Sequence, residues 1–486
     1  MKKMRHKRRE IHTERGWMVF FNKAEKRILP AVLGILMIII NMLMPFTAYA
    51  AWTYPTAQLT AEAGIVMDVD TGAVLFEKNS SEKLYPASIT KIMTALVVLE
   101  HCGLDEKVMF SHDAVYNVDA GSSNAQIDEG DVLTVSDCLY ALLLKSANEA
   151  ANALAEHVAG SREAFADMMN AEAIRLGCQN THFSNPSGLF SEDHYTTAYD
   201  MALIGAAAMQ NSKFREIDSH TSHTLAATKK VPEGKTVYME HKMLLEGTKY
   251  YDARVVGGKT GYTKDTGNTL VTMAESDGRR LVAVVLMDKT PYHYVDTETM
   301  LNLGFDEFEN QKVDSSITDM DAIRKRLVAD TIVSDSCQVS DLHFPKNMTV
   351  SLPKGSSQDG IAYSLNYNLR ADAPTDAVAE IQYLADSRVV GKYYLEKEPS
   401  IQVILDEVPT GTKVAVASVS ILTIAGIAAF FILGGGTAWK IKNLRDEFRL
   451  KHKMKEKRKQ RLQELNMTEE EFRELVEKKR SRKKQK

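Results

Sequence analysis

The chain has 486 residues, 44% of them hydrophobic and 26% charged, which is enough to bury a sizeable core and, by length, to form two or three domains. Its net charge of -4 conceals an uneven distribution, because residues 1–27 hold 10 Lys/Arg against 3 Asp/Glu and residues 440–486 hold 19 against 9. Basic ends around an acidic middle do not suit a nucleic-acid groove; they predict two ends on the cytoplasmic side of a membrane.

The first predicted element is an apolar segment over residues 28–44. It is followed by Pro45 and the small-residue sequence Ala48-Tyr49-Ala50-Ala51. This order is typical of an export signal, so we predict that residues 1–50 are a signal peptide cleaved after Ala50. Because the basic leader is long, a retained signal anchor is the alternative.

A hairpin and a helix are predicted next. The runs 63–70 and 73–76 lie on either side of a tight turn, and an apolar helix extends from Ile92 to near Gly103. Ser88 and Lys91 stand in the first turn of this helix, three residues apart and therefore on one face. A lysine kept neutral by burial can take the proton of a serine, so the two form a candidate nucleophile and base.

Two helices with a break between them are predicted after residue 131. The first is formed by the apolar run 132–144, with Thr134 or Ser136 as the residue that starts the helix. The second runs from the break to about residue 157. Within the break, Ser146 and Asn148 can present a hydroxyl and an amide to a substrate. The same sequence is also a good helix break and cap, which is the structural alternative.

The third candidate is the glycine-rich sequence of residues 257–263. It precedes strand-like runs at 268–274 and 280–287. The glycines beside Lys259 allow a substrate backbone to approach a strand edge closely. Lys259 and Thr260 offer a charge and a hydroxyl for a carboxylate. A lone Lys-Thr-Gly is, however, more often a turn.

The C-terminal part is predicted to contain a small domain and a membrane span. Alternating runs, the first at residues 348–352, predict a β-rich domain over residues 313–408 without identifiable chemistry. We predict a transmembrane helix over 412–439, because residues 414–439 carry no charge and basic residues follow at once. The basic tail, 440–486, is predicted to contact anionic lipid, or alternatively a protein partner.

Cysteine and histidine residues give no metal-binding pattern in the sequence. Cys102, Cys138, Cys178 and Cys337 include no CxxC pair, and their disulfide pairing stays open. Two histidines, at 220 and 223, stand in a Ser/Thr-rich segment without a carboxylate at ligand spacing, so a zinc peptidase is not expected.

Taken together, three short motifs carry a resemblance to a known family. Ser-x-x-Lys at 88–91, Ser-x-Asn at 146–148 and Lys-Thr-Gly at 259–261 resemble the low-molecular-weight penicillin-binding proteins, the serine-type D-alanyl-D-alanine carboxypeptidases. The likeness covers roughly residues 53–405 and includes a loop at 181–189. It implies an α+β fold: a β-lactamase/transpeptidase-like domain over residues 51–312, with an antiparallel sheet flanked by helices plus an all-helical subdomain.

The resemblance also implies catalytic roles. Ser88 would be the nucleophile, Lys91 its base, and Ser146 the group that relays a proton to the leaving D-alanine. The backbone N–H groups of Ser88 and Tyr262 would form the oxyanion hole. No metal or organic cofactor is implied.

A second group of residues would bind the substrate. Its members are Asn148, Lys259, Thr260, Gly261 and Tyr262. Lys259 and Thr260 would hold the terminal carboxylate. The segment before them, residues 238–245, lacks the Asn-x-Asn that family members often carry, and residue 147 is alanine where class A β-lactamases have aspartate.

The function implied is removal of the terminal D-Ala from peptidoglycan stem pentapeptides, with covalent inhibition by penicillins and other β-lactams. The enzyme would lie in the bacterial cell membrane, with one or two spans and its catalytic domain outside the cytoplasm. A β-lactamase and a D,D-endopeptidase on the same fold are the alternatives, as is a non-enzymatic membrane adaptor. No Glu-x-x-x-Asn base of class A β-lactamases is found, since Glu163 and Asn170 are too far apart.

Overall fold

The centre of the computed structural model is an antiparallel sheet. Its strands are β1 (Ala63–Asp68), β2 (Val74–Lys78), β7 (Val255–Thr263), β8 (Gly267–Ser276) and β9 (Arg279–Asp288). They lie in the order β2-β1-β9-β8-β7, so the predicted N-terminal hairpin pairs with the strands that follow the glycine-rich sequence. The glycine-rich sequence itself is β7, which occupies one edge of the sheet.

Helices cover both faces of this sheet. Among the described residues the helices are α1 (Lys91–His101), α2 (His112–Tyr116), α3 (Val135–Leu144), α4 (Asn148–Ala159), α5 (Arg162–Arg175), α6 (Ala198–Gln210), α7 (Ser212–Asp218) and α8 (Tyr292–Glu307). On one face, Gly205 of α6 packs so closely on Val282 that an added Cβ would lie 2.8 Å from it. On the other, a Cβ on Gly304 of α8 would lie 2.6 Å from Leu281. The α+β architecture predicted for this region is therefore confirmed.

The remaining helices pack beyond α6 as a helical subdomain. α1 lies at its centre and contacts α3, α4 and α5. Nine of the eleven residues of α1 are buried, and seven of these belong to the hydrophobic core that this subdomain shares with one face of the sheet. A helix buried on nearly all sides has little freedom to move, so the residues at its N-terminus are held in fixed positions.

Two sequence predictions require correction. Ser88 does not stand in the first turn of an α-helix; it lies in a separate 3-10 helix, Ala87–Thr90, that leads into α1. A 3-10 helix has three residues per turn, so Ser88 and Lys91 still face the same way. The apolar run 132–144 is not one helix, because Val132–Thr134 pairs as β4 with β3 (Lys107–Met109) before α3 begins. The hydroxyl of Thr134 then caps α3 by accepting from the N–H of Asp137 at 3.0 Å.

The four alternating runs near the C-terminus form strands, as predicted. They are β12 (Thr349–Pro353), β13 (Ala362–Asn366), β14 (Ala377–Ala385) and β15 (Arg388–Lys397). β12 pairs with β10 (Phe308–Lys312), and the other three join β11 (Leu342–His343) in a sheet of order β11-β15-β14-β13. These strands enclose a hydrophobic core of their own around Tyr383 and Ile381.

A buried polar junction connects this region to the central sheet. Asp68, at the end of β1, accepts hydrogen bonds from the side chains of Thr71 at 3.0 Å and Asn310 at 3.0 Å. The Thr71 hydroxyl lies 2.9 Å from that of Ser351, and the Thr71 carbonyl accepts from the N–H of Lys392. Because the partners satisfy one another, these buried polar groups fix the junction.

The structure describes residues 52–397, with gaps at 120, 315–316, 319, 324–341, 344, 346 and 372. The predicted signal segment, transmembrane helix and basic tail lie outside these residues, as does Cys337. Within the described ranges, no helix is both long and apolar enough to cross a bilayer. A second pair of short strands, β5 (Ser222–Leu225) and β6 (Lys235–Tyr238), precedes a 3-10 helix at Lys242–Leu244 and then β7.

Candidate active site

The turn that carries Ser88 is held against the sheet from one side. The hydroxyl of Thr269 in β8 donates a hydrogen bond to the carbonyl of Pro86 at 2.7 Å. Gly261 of β7 lies so close that a Cβ at this position would be 2.9 Å from the backbone nitrogen of Ser88. Glycine at 261 is therefore required for β7 to reach the nucleophile turn.

The residue before Ser88 has an unusual backbone. Ala87 adopts a φ of 51°, in the left-handed region that residues with a Cβ rarely enter. Such a conformation costs about 1–3 kcal/mol and persists only where the surroundings impose it, which happens most often at functional sites. Here it orients the partly exposed Ser88 toward Lys91.

Lys91 is buried and surrounded by acceptors. Its Nζ lies 2.9 Å from Ser88 Oγ, and it donates to Asn148 Oδ1 at 2.8 Å and to the carbonyl of Ser187 at 2.5 Å. Burial and the nearby cation of Lys259 hold the pKa of Lys91 well below its ordinary value. An amine that is neutral in this position has a lone pair available for the Ser88 proton.

The carbonyl of Ser187 belongs to a loop that is ordered by Asn185. Asn185 Oδ1 accepts hydrogen bonds from the N–H and hydroxyl of Ser187 and from the N–H of Gly188. Gly188 has a φ of +82°, and a Cβ here would lie 1.9 Å from the carbonyl oxygen of Ala87. The loop and the nucleophile turn therefore touch backbone to backbone.

A buried histidine supports the same loop. His194 Nδ1 accepts from the N–H of Ser184 at 3.1 Å, which leaves Nε2–H to donate to the hydroxyl of Thr90 at 2.9 Å. Burial lowers the pKa of His194 to about 3, so the ring stays neutral and this pattern of donor and acceptor is constant at neutral pH.

The break between α3 and α4 brings Ser146 and Asn148 to the site, but with different contacts. Asn148 is the first residue of α4, and its side chain accepts from Lys91 as described. Ser146 is buried beside it with a φ of 60°, again in the left-handed region. The backbone of this turn is held by hydrogen bonds from the N–H of Ala147 to the carbonyl of Ala141 and from the N–H of Asn148 to that of Ser123.

Opposite this turn lies Lys259 in β7. Its side chain is buried, and its Nζ donates to the carbonyl of Thr260 at 2.9 Å. Burial lowers the pKa of Lys259 to about 8, against which the carboxylates of Glu240 and Asp218 act to raise it. Lys259 is thus mainly cationic at neutral pH. Next to it Thr260 is half-buried and Tyr262 is 63% exposed.

Two residues that the sequence did not single out support β7 from behind. Asp218 Oδ2 accepts from the N–H of Gly258 at 2.6 Å, and burial raises the pKa of Asp218 to about 7. His241 Nδ1 accepts from the N–H of Met243, so Nε2–H donates to the hydroxyl of Thr272 at 2.9 Å. A Cβ on Gly258 would come within 2.8 Å of the His241 ring, so this glycine allows the ring to pack beneath the strand.

One cluster of metal-ligand type lies away from this site. Cys102, Glu106 and His157 bring their ligand atoms within 4.8 Å of one another, at the ends of α1 and α4 that are opposite to Lys91 and Asn148. The exposed Glu106 already accepts from the N–H of Gly103 and pairs with His157 at 3.1 Å.

The prediction that His220 and His223 have no carboxylate nearby is only partly correct. His223 Nε2 lies 2.9 Å from a carboxylate oxygen of Asp137.

The three predicted motifs therefore meet at one place, between the helical subdomain and the β7 edge of the sheet. A separate cavity of about 630 Å³ lies between the central sheet and the C-terminal strands, and none of the predicted site residues lines it.

Sequence analysis did not predict three groups of the site: the Ser187 carbonyl, Glu240 and Asp218. Every residue has a backbone carbonyl, so residue type cannot single one out, and the two carboxylates stand outside any recognisable motif.

Comparisons with known proteins point to one family. A family model described as D-alanyl-D-alanine carboxypeptidase (peptidase family S11) matches residues 50–290. The D-alanyl-D-alanine carboxypeptidase DacF of Bacillus subtilis is 30% identical over 359 residues, which cover 70% of this chain and 88% of the relative. DacC of Escherichia coli is 35% identical over 274 residues, covering 54% of this chain and 66% of the relative.

Solved structures give the same fold. Penicillin-binding protein 5 from Haemophilus influenzae superposes with a TM-score of 0.53 at 24% identity, covering 71% of this chain and 98% of that protein. At this identity the likeness concerns the fold alone. The family model, the sequence relatives and the shared fold together show the family. The chain belongs to the low-molecular-weight penicillin-binding proteins of the serine D-alanyl-D-alanine carboxypeptidase family.

Proposed function

We propose that the site cleaves the terminal D-Ala from D-Ala-D-Ala peptides through an acyl-enzyme on Ser88. Ser88 Oγ attacks the carbonyl carbon of the penultimate D-alanine while Lys91 takes the hydroxyl proton. The observation that carries this proposal is the 2.9 Å contact between Lys91 Nζ and Ser88 Oγ, at a buried position where the pKa of the lysine is depressed.

The attack turns the substrate carbonyl into an oxyanion, which needs hydrogen-bond donors. We assign this role to the backbone N–H groups of Ser88 and Tyr262. One such donor typically lowers the activation free energy by about 2.7–4 kcal/mol. The close approach of Gly261 to the Ser88 nitrogen supports the assignment, because it brings the end of β7 next to the nucleophile turn.

Ser146 is proposed to pass a proton to the departing D-alanine. The C–N bond then breaks, the amine leaves protonated, and the acyl group remains as an ester on Ser88. Water later hydrolyses this ester and returns the hydroxyl. The burial of Ser146 beside Asn148, which itself contacts Lys91, supports a path for the proton.

The other end of the substrate is proposed to bind along β7. Lys259 and Thr260 hold the terminal carboxylate, Gly261 gives the substrate backbone close access, and Asn148 contacts the peptide from the opposite wall. A charge-assisted contact to a buried lysine is strong, because little water competes for it. The cationic state of Lys259 below a pH of about 8 supports this role.

A β-lactamase activity is the second candidate, and a direct assay separates the two. The purified protein is incubated in parallel with a stem pentapeptide, a cross-linked stem dimer and a penicillin. We expect D-Ala release from the pentapeptide and slow penicillin turnover, because Glu163 is exposed and Asn170 bonds the backbone of Phe183, so neither offers a base for deacylation. Rapid penicillin hydrolysis would contradict the carboxypeptidase assignment, and cleavage of the dimer would add endopeptidase action.

We further propose the arrangement of the chain in the membrane. Residues 1–50 direct export, residues 51–312 and 313–408 are the catalytic and β-rich domains outside the cytoplasm, and residues 412–439 anchor them. The basic tail, 440–486, would then contact anionic lipid from the cytoplasmic side. The apolar segments and the basic residues at both ends of the sequence support this proposal.

Protease treatment of intact protoplasts tests this topology. The expected result is digestion of the catalytic domain, with a protected C-terminal fragment that an antibody against the tail detects. N-terminal sequencing of the mature protein should begin at Ala51. Protection of the catalytic domain in intact protoplasts would refute the proposed orientation, and a start at Met1 would favour a retained anchor.

A further inference from the structure

An ion pair connects the two walls of the active site. Lys145, the residue immediately before Ser146, places its Nζ 2.7 Å from Oε1 of Glu240. Lys145 ends α3 in the helical subdomain, whereas Glu240 lies between β6 and the 3-10 helix and precedes His241, which packs beneath β7. Their side chains are 37% and 36% exposed, so the pair lies at the rim of the site.

The pair lies within electrostatic reach of both buried lysines. Burial is the main reason that the pKa values of Lys91 and Lys259 are depressed, and the carboxylate of Glu240 acts to raise both. The ammonium of Lys145 acts in the opposite direction and lowers the pKa of Lys259. The further charges acting on these two lysines are those of Glu149 and Lys259 on Lys91 and that of Asp218 on Lys259.

Two other titratable groups stand close to the pair. The pKa of Lys235 in β6 is lowered by burial and by Lys145, and it is raised by Glu149. His241 is neutral, because burial and Lys259 lower its pKa to about 3. Neither group reverses the sign of the effect that Glu240 has on the two buried lysines.

We propose that the Lys145–Glu240 ion pair is a positioning device of the active site. It holds the turn that carries Ser146 against the segment leading to β7, and its two charges add to the electric field at the side chains of Lys91 and Lys259. This inference rests on the roles proposed above for these two lysines. Lys145 and Glu240 act through Ser146 and through the electric field, so both are positioning residues rather than catalytic ones.

The proposal makes a signed prediction for the dependence of acylation on pH. Removing the carboxylate in Glu240→Gln lowers the pKa of Lys259, so the cation is lost at lower pH and the alkaline limb of the pH–rate profile shifts to lower pH. The same change lowers the pKa of Lys91, so the acidic limb also shifts to lower pH. Lys145→Gln removes a cation instead and shifts the alkaline limb to higher pH.

The size of the expected shift is about 0.5 pH unit, which corresponds to about a threefold change in the ratio of cationic to neutral Lys259. The shift should shrink at high salt, since charges at the rim are partly screened. A purely structural role predicts otherwise: an exposed pair contributes little to stability, and its loss would scale the rate without moving either limb.

The test measures the second-order rate of acylation by a fluorescent penicillin from pH 5 to 10, in wild type, Glu240→Gln, Lys145→Gln and Lys145→Arg. We expect opposite displacements of the alkaline limb in the two Gln variants and a wild-type profile in Lys145→Arg. Glu100→Gln is the matched control, because Glu100 pairs with Arg175 at 2.8 Å with similar exposure but stands nine residues, about 14 Å, along α1 from Lys91. Its profile should not move.

The outcomes separate this inference from the function on which it rests. Wild type that shows no covalent labelling would refute the proposed function itself and the ion-pair inference with it. Normal labelling with unmoved limbs in both Gln variants would overturn the ion-pair inference alone. Displacements in the same direction in Glu240→Gln and Lys145→Gln would also overturn it, because the two charges have opposite signs.

Discussion

Substitution of Ser88 by alanine is expected to abolish covalent labelling by penicillin and to lower D-Ala release by on the order of 10⁴- to 10⁶-fold. The substitution removes the only atom to which the acyl group can be attached in the proposed mechanism. Lys91 keeps its contacts to Asn148 and Ser187, so the fold of the site should survive. Gel fluorescence after incubation with labelled penicillin, and release of D-Ala from a pentapeptide, measure the two effects.

The control for this experiment is a serine away from the site. Ser219 is exposed and its hydroxyl donates to the carbonyl of Glu216, so Ser219→Ala should label as wild type does. Thermal unfolding of Ser88→Ala should match that of wild type within a few degrees. Labelling that persists in a folded Ser88→Ala variant would refute the nucleophile assignment.

Substitution of Gly188 by alanine is expected to have the second largest effect. The new Cβ would overlap the carbonyl oxygen of Ala87 at 1.9 Å, a backbone contact that no side-chain rotation can relieve. The loop or the nucleophile turn must move, and the Ser187 carbonyl would lose its contact with Lys91. We expect acylation to fall by on the order of 100-fold or more, since misplacement of a catalytic group by about 1 Å costs that much.

Gly160 provides a matched control for this substitution. Its φ of +78° is close to the +82° of Gly188, but a Cβ added to it meets no atom within 4 Å. Gly160→Ala therefore carries the same left-handed backbone strain, about 1 kcal/mol, without the overlap. Stopped-flow acylation rates should be unchanged in Gly160→Ala. Equal rates in both alanine variants would show that the contact between Gly188 and Ala87 does not position the site.

The local pattern of the sequence was sufficient for several elements, whereas the α+β architecture was predicted from the family resemblance. The hairpin of β1 and β2, the helix after Lys91 and the alternating C-terminal runs each carry a periodicity that determines the element without reference to the rest of the chain. The three-residue strand β4 was missed, because its apolar residues continue without interruption into α3. Only pairing with β3, over twenty residues earlier, separates the strand from the helix.

The site could be predicted as far as side chains define it. Ser88, Lys91, Asn148 and Lys259 belong to short motifs, and the structure brings them together. The contacts that tune them were not predictable. The left-handed backbone at Ala87 is imposed by its neighbours rather than by its residue type, and the effect of Glu240 on the two lysines arises only when β6 and α3 lie side by side.

The position of β7 at the edge of the sheet has a consequence for selectivity. A peptide that adds to an open strand edge is held through main-chain N–H and C=O groups, which every residue possesses, while its side chains alternate between the two faces. Such a groove discriminates by chain direction and by the chemistry of the terminus, and it is tolerant of composition farther along. If the substrate binds along β7 as proposed, the last two residues of a stem peptide carry most of the discrimination.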